Sequence, residues 1–282
     1  MAASDYWFES DEGLKLFARL YEGAPPGAPV VVCLHGLTRN GRDFEELAPH
    51  LAQRYRVVVP DVRGRGRSSR DPNPANYRLA VYLRDLEILY GGLGIERAAI
   101  VGTSMGGLMA MTLGATHPEQ VSRIVLNDIG PELAPEGIER IRQYAGRSPK
   151  VSHWQDAVAQ VRRVNEVAWP DLSQARWEEI TRRSYQANPD GTFEPYADPM
   201  IGEALRAAGP ARDTWPLWRV LGDIPVLLLR GELSDLLTPS IVERMAREKP
   251  GLESVTVPNR GHAPLLDEPV PRARIDAFLA AQ

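Results

Sequence analysis

The chain has 282 residues, of which 43% are hydrophobic and 25% charged, a composition that fits a globular protein and excludes a mainly disordered one. The formal net charge of −4 is too small to recruit polyanions, so we expect no nucleic-acid partner. No apolar segment approaches the ~20 residues of a membrane-spanning helix, and the N-terminus has acids where a secretory signal needs basic residues. We therefore expect a cytoplasmic protein without a membrane partner.

The first 21 residues predict a β-hairpin, because segments 6–8 and 14–21 alternate in polarity around a turn at 11–13. Short apolar segments typical of buried strands then alternate with helical spacings. The strand segments are 30–34, 57–59, 98–101, 124–126, 225–229 and 254–257, and the helical segments are 44–51, 79–93, 108–113, 241–247 and 272–279. Strands without polar alternation, separated by helices, predict an α/β fold with a mostly parallel central sheet and helices on both faces.

The strand pattern lapses between about Pro131 and Pro216, where the apolar spacing is helical throughout. We interpret this segment as a helical cap inserted into the sheet, and divide the chain into a core domain of residues 1–130 and 217–282 and a cap of residues 131–216. Its position between consecutive strands suits a lid over the carboxyl ends of the strands, where open α/β sheets bind ligands.

Gly102-Thr-Ser104-Met-Gly106-Gly107 is the most informative motif of the sequence. It follows the strand at 98–101 directly and precedes the helix that begins near Gly107. A serine on so sharp a strand-to-helix turn projects its hydroxyl above the sheet, and the flanking glycines let strand and helix pack closely. The motif predicts that Ser104 is a nucleophile.

A serine hydroxyl needs a base to accept its proton, and the chain has five histidines. His262 lies in a loop after the last strand, where it can reach over the edge of the sheet. His35 directly follows the strand at 30–34, a position that suits the loop around an oxyanion site better than proton transfer. We therefore expect His262 to be the base.

The base in turn needs a carboxylate that fixes its tautomer. Asp235 follows the strand at 225–229, and we take it as this carboxylate. Asp128 is the rival, because it follows the strand at 124–126 and could occupy a neighbouring strand end.

An arginine-rich segment, Arg63-Gly-Arg-Gly-Arg-Ser-Ser-Arg70, superficially suggests RNA binding. No aromatic stacking platform or second basic stretch accompanies it. We interpret it as a tight, solvated loop between a strand and a helix.

These features resemble the α/β-hydrolase family over about residues 6–279. The resemblance rests on the order Ser104, Asp235, His262, on His35-Gly36 upstream, and on the segment 61–68 after the next strand. It implies Ser104 as nucleophile, His262 as base and Asp235 as acid.

The same resemblance implies an oxyanion hole made by the backbone N–H groups of Leu37 and Met105. Leu37 offers only its backbone, so this is not the glycine-rich oxyanion loop of many lipases. The cap would cover the site, and His35, Trp215 and Trp218 are candidate substrate contacts. Most of the cap tryptophans are expected to fill the cap's own core.

The expected reaction is two-step hydrolysis of a small or medium-sized carboxylic ester, with water as the second substrate and without a metal or cofactor. Lactone hydrolysis, carbon–carbon bond hydrolysis, acyl transfer to an alcohol and perhydrolysis could use the same residues. A ligand-binding protein with slow turnover is the alternative of a different class. The sequence does not give the oligomeric state.

Overall fold

The central feature of the computed structural model is an eight-stranded sheet. The structure describes residues 3–209 and 213–281; residues 1, 2, 210–212 and 282, which the predicted domain ranges include, lie outside the described residues. The strands are β1 (Ala3–Glu9), β2 (Lys15–Tyr21), β3 (Val30–Leu34), β4 (Arg56–Asp61), β5 (Ala98–Thr103), β6 (Val121–Asn127), β7 (Tyr185–Ala187), β8 (Phe193–Pro195), β9 (Val226–Gly231) and β10 (Glu253–Val257). The helices are α1 (Leu47–Leu51), α2 (Leu79–Leu93), α3 (Met105–Thr116), α4 (Pro135–Tyr144), α5 (Trp154–Asn165), α6 (Gln174–Ser184), α7 (Met200–Ala207), α8 (Trp215–Val220), α9 (Pro239–Glu248) and α10 (Pro269–Ala280).

The large sheet has the order β1-β2-β4-β3-β5-β6-β9-β10. Strand β2 pairs antiparallel with both β1 and β4, and every other neighbouring pair in this sheet is parallel. The predicted α/β fold with a mostly parallel sheet is confirmed.

Alternate residues of the central strands face opposite layers of helices, as the two-residue period of a strand requires. On one face, Val32, Ile100 and Leu126 pack in a cluster with residues of α2, α3, α8 and α9. On the other face, Val31 and Val101 pack with α1 and α10. Both faces are therefore apolar, which explains why these strands lack polar alternation in the sequence.

Helices α4 to α7 and a small hairpin lie between β6 and β9, in the segment that the sequence assigns to the cap. This segment has a hydrophobic cluster of its own, centred on Trp177 and Ile180 and including Trp169. The helical spacing did not reveal the hairpin of β7 and β8, which has only three residues in each strand. The division into domains stays a prediction.

The arginine-rich loop that follows β4 is folded back into the protein. The Arg63 guanidinium is buried and binds the carboxylates of Asp85 and Asp71 at 2.6–2.7 Å. Arg65 is also buried and donates to the carbonyl of Leu37 at 2.9 Å. The two arginines hold the loop in place. The segment is a loop between a strand and a helix, but the prediction that it is solvated is wrong for these two side chains.

Among residues 3–209 and 213–281, no helix is both long and apolar enough to cross a membrane.

Candidate active site

Ser104 lies in a sharp turn between β5 and α3, as the sequence predicts. Its backbone has φ 51° and ψ −114°, a combination that residues with a side chain rarely adopt. The turn places Ser104 at the carboxyl end of β5 and at the N-terminus of α3. Such strained positions persist only where the surrounding structure holds them, and they cluster at functional sites.

Two glycines make this turn possible. A Cβ on Gly102 would lie 2.5 Å from backbone atoms of Gly106, and a Cβ on Gly106 would lie 2.1 Å from the carbonyl oxygen of Leu34. Both contacts are with backbone, which cannot move aside. The close packing of strand and helix therefore requires glycine at each position.

The imidazole of His262 joins Ser104 to a carboxylate. Its Nε2 lies 2.9 Å from Oγ of Ser104, and its Nδ1 lies 2.9 Å from Oδ2 of Asp128. The imidazole is only 7% exposed and the Asp128 carboxylate is fully buried. A proton on Nδ1 satisfies the carboxylate and leaves Nε2 free to accept the hydroxyl proton of Ser104.

Asp235 is not the carboxylate that contacts His262, and that prediction is wrong. Both oxygens of Asp235 bind the guanidinium of Arg140 on α4, at 2.5 and 2.9 Å, and this cation lowers the pKa of Asp235 even though burial raises it. The alternative carboxylate, that of Asp128, contacts the His262 imidazole instead. Strand β6 lies directly beside β5, so its end is adjacent to the Ser104 turn.

The Asp128 carboxylate is held by three donors. Oδ1 accepts a hydrogen bond from the backbone N–H of Gly231 at 2.8 Å, and Oδ2 accepts one from the Ser234 hydroxyl at 2.6 Å besides that of His262. The Ser234 oxygen itself accepts two backbone N–H groups, so its single proton points to Asp128. The loop after β9 thus positions the carboxylate that contacts His262, although Asp128 itself follows β6.

The loop after β3, which is predicted to carry an oxyanion donor, is fixed by His35. Its Nδ1–H donates to the carbonyl of Gly36 at 2.8 Å, and its Nε2 accepts the backbone N–H of Val62 at 3.0 Å. Burial lowers the pKa of His35 to about 4, so the ring is neutral at pH 7. His35 is fully buried with both ring nitrogens engaged, so the prediction that it contacts substrate is wrong.

Leu37 follows in this loop, and Met105 follows Ser104. Among the described residues, neither backbone N–H donates a hydrogen bond to another protein group. Leu37 and Ser104 line the same cavity. The two N–H groups are thus available as the predicted oxyanion donors, an assignment that stays a prediction.

Trp215 and Trp218 lie in the core and not at the site, so their prediction as substrate contacts is wrong. Both are at most 4% exposed and pack with α3 and α9. Their indole N–H groups bind the carboxylate of Glu132 and the carbonyl of Met245. The tryptophan that does line the site is Trp169, whose indole N–H donates to the carbonyl of Ala263 at 2.8 Å.

A cavity of about 90 Å³ contains Ser104 and His262. Some of its walls come from the sheet and its loops, and the others come from the segment between β6 and β9. From that segment come Ile141, Tyr144, Asn165, Trp169, Ile180 and Arg183. In the part of the chain that the structure describes, no group of three or more His, Cys, Asp or Glu side chains is arranged to hold a metal ion.

The fold and this site define a class of protein, and comparison with known proteins agrees. Residues 29–160 match the family model described as the alpha/beta hydrolase fold. A crystal structure of an alpha/beta hydrolase from Novosphingobium aromaticivorans is 42% identical and superposes with a TM-score of 0.92 over 99% of both chains. The chain belongs to the alpha/beta hydrolase family.

Two relatives of known name are also similar over most of their length. The 3-hydroxybutyrate-oligomer hydrolase of Cupriavidus necator is 35% identical over 268 residues, 92% of this chain and 91% of that protein. The 2-(acetamidomethylene)succinate hydrolase of Mesorhizobium japonicum is 28% identical over 234 residues, 83% of this chain and 81% of that protein.

Proposed function

We propose that the protein is a serine hydrolase that cleaves carboxylic esters of small or medium size. One observation carries this proposal: Ser104, His262 and Asp128 form a continuous line of hydrogen bonds at the carboxyl ends of adjacent strands. This is the arrangement that activates a serine for attack on a carbonyl carbon. The name of the Cupriavidus relative, a hydrolase of hydroxyacid oligomers, supports an ester as the substrate.

In the first step, His262 Nε2 takes the Ser104 proton as Oγ bonds to the carbonyl carbon. The carbonyl π electrons move to the oxygen, and the N–H groups of Leu37 and Met105 stabilise this oxyanion. One such donor contributes roughly 3–4 kcal/mol to the transition state. The Asp128 carboxylate stabilises the imidazolium that forms.

The tetrahedral intermediate then collapses. The carbonyl re-forms, the bond to the alcohol oxygen breaks, and the proton on His262 passes to the departing alcohol. Water next gives a proton to His262 and adds to the acyl carbon, and the second intermediate expels Ser104 Oγ, which recovers its proton. The products are a carboxylic acid and an alcohol, and the enzyme returns to its initial state.

The Ser104→Ala variant tests the proposal with nitrophenyl esters of increasing acyl length. We expect the variant to fold as the wild type does and to lose turnover by about 10⁶-fold, because the nucleophile is gone. A fluorophosphonate probe should label Ser104 in the wild type and not in the variant. Folding is checked by circular dichroism and thermal melting.

A variant that keeps most of its esterase activity would show that Ser104 is not the nucleophile. A wild type that is acylated once and does not release the acid would support the slow-turnover binding protein and contradict a hydrolase.

A further inference from the structure

A second, larger cavity of about 430 Å³ adjoins the cavity that contains Ser104. Thr38, Arg39, Tyr144 and Asn165 line both, so the two share a wall. The inner space, about 90 Å³, is much smaller than the outer one. A substrate of medium size that reacts at Ser104 therefore extends into the outer cavity.

The outer cavity is rich in positive charge. Arg39, Arg70, Arg147 and Lys150 line it, against a single acidic wall residue, Glu194, among the described residues. A ligand that enters it meets cations from the loop after β4 and from the segment that follows α4.

These cations differ in how free they are. The Arg39 guanidinium binds both oxygens of Asp43 and the Ser184 hydroxyl, so its donors are occupied. Arg70 and Lys150 pair with Glu194 and Asp190 at the surface, where an ion pair contributes little and is readily exchanged.

Arg147 stands apart from these three. It is exposed, and its guanidinium has no hydrogen bond or ion pair with any group in residues 3–209 and 213–281. Four cations against three carboxylates leave an excess of one positive charge, which matches a ligand with a single negative charge. Guanidinium binds carboxylate through two parallel N–H donors.

The rest of the wall suits an alkyl chain. Val161, Val164 and Pro195 contribute apolar surface to the outer cavity. Apolar walls with a few placed polar groups are typical of a small-molecule site.

We propose that the outer cavity binds a carboxylate carried by the ester substrate at a distance from the scissile bond, with Arg147 and Lys150 as its anchors. The substrate class is thus an ester that retains a free acid group, such as a linear oligoester of a hydroxyacid. This inference rests on the proposed function, since it assigns specificity to the same reaction.

The test compares matched esters that differ only in the remote charge. One pair is 3-(butyryloxy)butanoate and its primary amide, with the charge on the alcohol side. The other pair is mono-4-nitrophenyl glutarate and the corresponding primary amide, 4-nitrophenyl glutaramate, with the charge on the acyl side. We expect kcat/KM for the anion to exceed that for its neutral partner by about tenfold in at least one pair, mainly through KM.

The variant Arg147→Gln with Lys150→Gln should reduce this preference to about one, because kcat/KM for the anion falls about tenfold further than that for its neutral partner. Added salt should weaken the preference in the wild type, because both cations are exposed. Arg162→Gln is the matched control: this arginine lies on α5, is exposed, and does not line the cavity. It should keep the preference.

Equal rates on charged and neutral partners in both pairs, or a preference that survives the double substitution, would overturn the assignment. Turnover of the neutral esters reports the hydrolase activity separately, so a protein that is active without charge preference contradicts only this inference. Loss of the preference in Arg162→Gln as well would show an effect of overall charge and also overturn it.

Discussion

Asp128 holds its carboxylate on a backbone with φ 54°, in the left-handed region that residues other than glycine rarely adopt. The turn brings the carboxylate under the imidazole of His262. Asp235, which is also close enough to influence His262 electrostatically, faces Arg140. The two carboxylates therefore have different expected effects on catalysis.

We expect Asp128→Asn to reduce kcat by about 10³- to 10⁴-fold, because an amide cannot fix the imidazole tautomer or stabilise its cation. Asp235→Asn should change kcat on a neutral ester by less than about threefold, since it removes only a partly exposed ion pair. Steady-state kinetics of both variants on 4-nitrophenyl butyrate make the comparison. The reverse order of effects would return the acid role to Asp235.

The sequence could not choose between these two aspartates. Each follows a predicted strand, and the ends of β6 and β9 are neighbours in the sheet, so chain position alone places both near His262. What separates them is the direction of each side chain, which depends on the turn at Asp128 and on the presence of Arg140. Neither is visible as a local pattern. Ser104 and His262, in contrast, follow from a motif and from a loop after the last strand.

At the scale of elements, the β5–α3 junction determines the position of Ser104. Its two glycines allow backbone to touch backbone, and no rotation of a side chain can relieve a Cβ placed there. The close backbone contact therefore fixes the position of strand β5 relative to helix α3.

We expect Gly102→Ala to destabilise the protein by more than about 3 kcal/mol, because the new Cβ would overlap the helix backbone. Gly91→Ala is the control: this glycine lies within α2, and a Cβ there meets no atom within 4 Å. It should be neutral or stabilise by up to about 1 kcal/mol. Urea unfolding measures both. Equal effects of the two would show that the junction tolerates a side chain.

The order of strands and helices in the sheet domain follows from apolar segments and apolar periodicity, since each central strand is buried on both faces and helices such as α2 and α9 on one. The hairpin of β7 and β8 does not, because strands of three residues are too short to establish a two-residue period. Nor could spacing show that α8 packs on the sheet layer. Because α8 packs there, Trp215 and Trp218 are core residues. A tryptophan in a core and one in a pocket look alike in sequence.

At the scale of the whole molecule, the segment between β6 and β9 touches the loop that carries His262. The backbone N–H of Gly261 donates to the carbonyl of Ala168 at 2.8 Å, and Trp169 donates to Ala263. The residues directly before and after His262 are thus hydrogen-bonded to two adjacent residues of this segment, Ala168 and Trp169.

We expect Trp169→Phe to lower kcat/KM on neutral esters by about tenfold, because the loop loses a bond one residue from the base and small displacements of catalytic groups are costly. The stability should fall by only about 1 kcal/mol. Trp154→Phe is the matched control, since that ring packs against Phe193 and does not line the cavity that contains His262. Kinetics and thermal melting are compared. Unchanged activity in Trp169→Phe would show that the loop holds His262 without this contact.

The adjacency of β5 and β6 has an evolutionary consequence. Ser104 and Asp128 both precede the long segment between β6 and β9 in the chain. Ser104 follows β5 and Asp128 follows β6, and these two strands pair with each other. Insertions or deletions in that segment therefore leave the spacing between Ser104 and Asp128 untouched. Descendants of this chain can remodel the walls that this segment contributes to the cavity without rebuilding two of the three groups to which the proposed mechanism assigns the chemistry.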